Sequence, residues 1–99
     1  MSITVQQEAI DNYCRNNGIT LIRHYSDYAI SGRSTEHRVE FLKMIDDISL
    51  LGNIDFVIVY TGDRFSRSMK DFVKYLQIMS EYKCSLKCVN GDSDYSSYN

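Results

Sequence analysis

Apolar positions in this chain follow two rhythms, one helical and one of short unbroken runs. Ile3, Ala9, Ile10, Tyr13 and Cys14 recur near helical spacing and predict a helix over 2–15. Thr4 and Gln7 have capping-box spacing at its start. Asn16-Asn17-Gly18 is a stop, because Asn and Gly tolerate the left-handed conformation after a helix. Residues 19–25 read as a strand, with Ile19, Leu21 and Ile22 apolar and Thr20 β-branched. The polar stretch 26–35 holds the flexible pair Ser31-Gly32 and reads as a loop at that strand's carboxyl end. A second helix, capped by Ser34 or Thr35 and running to Leu51, places Val39, Leu42, Ile45 and Ile48 on one stripe with Phe41 beside it. Gly52-Asn53 ends it. Residues 56–60 form a short, uninterrupted apolar run rich in β-branched residues, the signature of a buried strand, which Gly62 breaks. Ser68-x-x-Asp71 then opens a third helix over 69–82 as a capping box. Met69, Phe72, Val73, Leu76 and Met79 predict its buried face, the methionines serving as gap fillers. A last strand, 85–89, alternates imperfectly, and the polar tail 90–99 has the composition of a frayed end or the start of a longer loop.

Helix–strand repeated three times predicts an α/β fold: a three-layer parallel sheet with helices on both faces, in one domain spanning 1–99. The pattern begins on a helix, where a right-handed crossover unit would place a strand first. Composition fits one ordinary globular domain, with 43% hydrophobic and 24% charged residues in 99. No apolar run is long enough to span a bilayer, so no membrane association is expected. No secretory segment follows Met1 and the cysteine count is odd, at three, which points to a reduced cytoplasmic protein. Cys84 and Cys88 lack a His or second Cys pair at zinc spacing, and His24 and His37 share no spacing with other ligand types. No metal or cofactor is therefore expected. Formal net charge is −2, whereas a domain that binds DNA unaided usually carries a basic excess. Any DNA contact is local, or another domain supplies the affinity.

The chemistry concentrates after the 56–60 run. Asp63, Arg64 and Arg67 crowd a loop between a strand's carboxyl end and a helix N-terminus, where open α/β sheets bind ligands. Guanidinium forks match phosphate oxygens bidentately, so two arginines there suit a phosphate. Arg38, in the first turn predicted for its helix, is poorly placed for a cation and easier to understand beside an anion. Plain alternatives are a solvated loop with one Asp–Arg pair, a solvated Arg38 and a turn role for Asp27. Charge alone favours the solvated loop.

The order and spacing of Ser2-Ile3-x-x-Gln6, Tyr25-x-Asp27-x-x-Ile30-Ser31-Gly32, Arg38-x-x-Phe41, Asp55-Phe56-Val57-Ile58-Val59-Tyr60 and Asp63-Arg64-Phe65-Ser66-Arg67 carry more information. Together they resemble the catalytic domain of the serine site-specific recombinases, the resolvase–invertase family and especially its large phage and transposon integrases. The resemblance spans nearly the whole chain. It implies a resolvase-like fold and DNA strand exchange, in which a serine hydroxyl attacks the scissile phosphate and forms a 5′-phosphoserine linkage without metal. Arginines then carry the electrostatic work, as phosphoryl transfer allows. By position, Arg64, Arg67 and Arg38 would clamp the phosphate, and Asp63 would orient them and act in proton transfer. Gln6 and Asp27 match further active-site positions, while Ser31 and Gly32 match the loop that shapes the pocket. DNA, met through the full-length protein, and further copies of the chain are the implied partners.

This chain also departs from the family. The family's first strand carries Tyr-x-Arg-x-Ser, with the nucleophile and another arginine, just upstream of the segment that matches Ser2-Ile3-x-x-Gln6. Ser2 aligns with a serine at the helix start, and Ser66 lies inside the arginine motif, where it caps or packs. No nucleophile is therefore assigned. Val39 stands where the family usually has Pro, and Thr61-Gly62 where a Lys and a bulkier residue are common. Two readings follow: an N-terminally truncated recombinase catalytic domain that is inactive alone, or a degenerate, non-catalytic module for protein–protein association. A flavodoxin-like phosphate binder ranks third, for want of a Gly-rich loop at a helix start. In the family the first strand lies between those matching 19–25 and 56–60. Without it those two strands either pair directly or recruit a strand from another chain. Self-association is the favoured expectation.

Overall fold

In the computed structural model, residues 3–26, 38–66 and 68–90 are described. Six elements follow in order: α1 (Ile3–Asn16), α2 (Val39–Leu51), β1 (Phe56–Val59), α3 (Gly62–Phe65), α4 (Met69–Glu81) and β2 (Ser85–Cys88). Local chemistry explains the boundaries. At the end of α1, Gly18 takes φ 67° and Ile19 N–H reaches back to Cys14 O at 2.8 Å, a Schellman-type closure. Gly52, with φ 71°, ends α2 while its N–H bonds Ile48 O. Ser68 caps α4 by accepting from Asp71 N–H at 3.4 Å, the half of the predicted capping box that the hydroxyl supplies.

β1 and β2 pair in parallel, with Phe56 opposite Ser85 and Val59 opposite Cys88, and α4 makes the crossover. Asn90 N–H to Tyr60 O, at 2.8 Å, carries the ladder just beyond both strands. One core joins them. Phe41, Ile45 and Ile48 of α2 meet Val57, Phe65, Met79, Cys84 and Leu86.

The structure corrects three expectations. Residues 19–25 are not a strand: among the described residues β1 pairs only with β2, and the sheet has two strands. A strand needs a neighbour that offers a complementary ladder, and apolar composition alone does not supply one. Side chains hold this stretch instead. His24 Nε2 meets Asp11 Oδ1 at 2.8 Å, Tyr25 OH donates to Asp47, and Gln7 Nε2 donates to Ser26 Oγ at 2.9 Å. Direct pairing of 19–25 with β1 is thus not seen. Second, both predicted amphipathic faces hold only in part: Phe41, Ile45 and Ile48 of α2 and Phe72, Leu76 and Met79 of α4 do reach the core, while the other predicted positions do not. Val39 and Met69, each the first residue of its helix, are 67% and 76% exposed, and Leu42 and Val73 are exposed too. The inward face of α2 is Phe41, Ile45 and Ile48, and Phe72, Tyr75, Leu76, Ile78 and Met79 of α4 join the core. Third, α2 begins at Val39, so Arg38 stands at its N-cap, not in its first turn. Ser34 and Thr35, the predicted caps, lie outside the described residues.

Candidate phosphate-binding site

Beyond β1 the chain turns at Thr61, whose extended backbone (φ −139°, ψ 161°) leads into the single turn of α3. Arg64 N–H to Thr61 O (3.1 Å) and Ser66 N–H to Gly62 O (3.3 Å) close it. One turn is too short to be stable by itself, since helix nucleation is costly. Phe65 anchors it. Its ring is completely enclosed, edge-on to Phe41 and Phe72 at centroid distances of 5.3 Å and to Tyr75 at 6.3 Å. With Phe65 turned inward, Arg64 stays exposed. Ser66 is buried, and its hydroxyl donates to Ser68 O (3.2 Å) and accepts from Ser68 N–H (3.3 Å), so it is engaged locally.

Arg38 arrives from the other side. Its Nη2 donates to Arg64 O at 3.2 Å, and its guanidinium carbon lies 3.6 Å from the centroid of the Phe41 ring. Two arginines 26 positions apart are therefore joined at one place: the carboxyl end of β1, beside the N-terminus of α2. Gln6 is half-buried on α1. Asp27, Ser31, Gly32 and Arg67 lie outside the described residues, as does the Asp63 side chain, although the Asp63 backbone is part of α3. Among the described residues, no three His, Cys, Asp or Glu side chains gather as a metal site.

Sequence reasoning missed the group that fixes the chain ahead of Asp27. Tyr25 OH donates to the Asp47 carboxylate on α2, Arg23 Nη1 lies 3.8 Å from the same carboxylate, and the Arg23 guanidinium sits 5.0 Å from the Tyr25 ring centroid. Asp47, the second of the adjacent pair Asp46-Asp47 on a helix, gives no sign in the sequence of such a partner. Burial, and then the hydrogen bond and charge of Asp47, push the Tyr25 phenol from its ordinary 10 up to about 12, against the opposing pull of Arg23. The raised value means that folding favours the protonated phenol. This contribution to stability is complete below pH 10 and is lost as pH rises through about 12. Tyr25→Phe is expected to cost about 1 kcal/mol near neutrality and to remove that alkaline component. Urea midpoints measured across the window test this; identical pH slopes for wild type and variant would refute it.

All three cysteines are buried, and none is in a disulfide. Burial, followed by the Asp55 charge, pushes the Cys84 thiol up to about 12, and burial with Asp11 raises that of Cys14, so neither is a poised nucleophile.

The family model described as "Resolvase, N terminal domain" matches residues 1–99. The chain belongs to the resolvase family. Two solved structures are similar to it. One is a resolvase family site-specific recombinase from Streptococcus pneumoniae, with TM-score 0.82 and 33% identity over 94% of this chain. The other is the N-terminal catalytic domain of TP901-1 integrase, with TM-score 0.84 and 28% identity over 95% of this chain. This chain spans 63% of the pneumococcal chain and 72% of the integrase chain. None of the curated proteins matches it in sequence. The resolvase-like α/β fold expected from the sequence is thereby established, within which the described residues form the two-stranded sheet and its helices. No described helix is long and apolar enough to cross a membrane.

Proposed function

We propose that this chain serves DNA site-specific recombination as part of a serine recombinase of the phage-integrase or transposon type, and that its arginines hold the scissile phosphate. The observation that carries the reading is the union of Arg38 with the Asp63–Arg67 motif at the carboxyl end of β1. The exposed side chain of Arg64 and the fork of Arg38 offer donors to phosphate oxygens, and Arg67 would complete the clamp. Clamping offsets the charge that builds on the oxygens as a serine Oγ–P bond forms and the P–O3′ bond breaks, the serine proton leaving and the 3′ oxygen gaining one. Asp63, Gln6 and Asp27 would orient these groups, with Ser31 and Gly32 shaping the pocket.

No serine of the 99 residues matches the attacking position, so this chain alone holds the phosphate without cutting it. With a net charge of −2, it relies on a longer protein, and on further copies in a homo-oligomer, for DNA affinity. A labelled DNA duplex titrated with the chain at low salt tests the reading. Weak binding is expected, falling in Arg64→Ala with a log–log salt slope shallower by about one. A cleavable suicide substrate should give no covalent adduct. Equal binding by wild type and Arg64→Ala, or an adduct on any serine of this chain, would overturn the proposal.

A further inference from the structure

We infer that Arg38 is a positioning residue for Arg64: a strap that fixes the backbone from which the Arg64 side chain projects, in addition to any charge it lends the phosphate. The inference rests on the functional reading above for its consequence, and on geometry for its substance. α3 is a four-residue helix at the rim of the site. A helix of that length leaves most of its terminal carbonyls without intrahelical partners, and Arg64 O is one of them. Arg38 Nη2 satisfies it at 3.2 Å.

That bond is held in direction by a second contact. The face of the Arg38 guanidinium lies on the Phe41 ring at 3.6 Å, and Phe41 is buried edge-on against Phe65, the residue after Arg64. The loop is therefore gripped twice from α2: through the rings on the core side and through the fork at the carbonyl. Only a planar, delocalised cation can stack by its face and donate in its plane at once. A lysine keeps the charge but loses that combination. The backbone carbonyl of Arg38 accepts from Leu42 N–H whatever the side chain, so changing the side chain leaves the start of α2 intact.

The test compares wild type, Arg38→Lys and Arg38→Ala by amide hydrogen exchange and by titration with inorganic phosphate. Without phosphate, the amides of Arg64 and Ser66 are expected to exchange about ten-fold faster in both variants, the effect of one lost hydrogen bond. The Ile48 and Leu86 amides should keep wild-type rates, which excludes general destabilisation. With phosphate, Arg38→Lys should lose affinity nearly as much as Arg38→Ala, although its charge is retained. Unchanged exchange at Arg64 and Ser66, or phosphate binding by Arg38→Lys equal to wild type, overturns the strap. If wild type itself binds no phosphate, the functional reading fails, and the exchange rates still decide the strap.

Discussion

Phe65→Ala is expected to cost about 3–5 kcal/mol, the range for removing a fully buried aromatic ring. The ring is completely enclosed and meets three others, Phe41, Phe72 and Tyr75, edge-on. Such pairs add about 0.5–1.5 kcal/mol each beyond area burial. A domain of this size has roughly 5–15 kcal/mol in total, so the variant sits near the unfolding threshold. The loss also reaches the site. Phe65 is the internal anchor of α3, and it braces the Phe41 ring on which Arg38 rests. Phe65→Leu should recover much of the stability but little of the bracing, because a leucine fills volume without presenting a ring edge. Urea denaturation separates the two variants. A loss below 1 kcal/mol in Phe65→Ala, beneath the range for buried aromatics, would mean that the loop does not depend on its core anchor.

Phe65 also shows what the sequence made legible. The pattern placed Asp63–Arg67 after a strand, but that strand is buried only at Val57 of its four residues, and the pattern presented the segment as a charged loop. An apolar residue between two arginines was the available signal that one side chain turns inward. Both strands of the sheet were legible, β1 as an unbroken apolar run and β2 from its position after a helix. So was the span of α4, marked at its start by the Ser68 cap. Residues 19–25 misled because strand formation depends on a neighbouring ladder, which is non-local. Val39 and Met69 misled because the first residue of a helix can overhang the core whatever its periodicity. The motif resemblance singled out Arg38, but the backbone carbonyl 26 residues away to which it donates has no sequence signature. The same holds for Asp47 and Tyr25.

Arg64→Ala is expected to reduce phosphate affinity about ten- to one-hundred-fold, the worth of a charge-assisted hydrogen bond of about 1.5–3 kcal/mol. The magnitude follows from the proposed clamp. Guanidinium groups converging on one pocket repel each other, and a bound anion relieves that repulsion while accepting their N–H donors. Arg15 and Arg23 have other surroundings: Arg15 donates to Asn12 Oδ1 at 3.0 Å, and Arg23 lies by Asp47. They serve as internal controls. The most direct measurement is an NMR titration of the arginine Nε–H signals with inorganic phosphate, set against chloride at equal ionic strength. Arg38, Arg64 and Arg67 should shift together with one midpoint, Arg15 and Arg23 should stay still, and Arg64→Ala should abolish the joint response. Separate midpoints for the three, or equal shifts in chloride, would contradict a shared phosphate site.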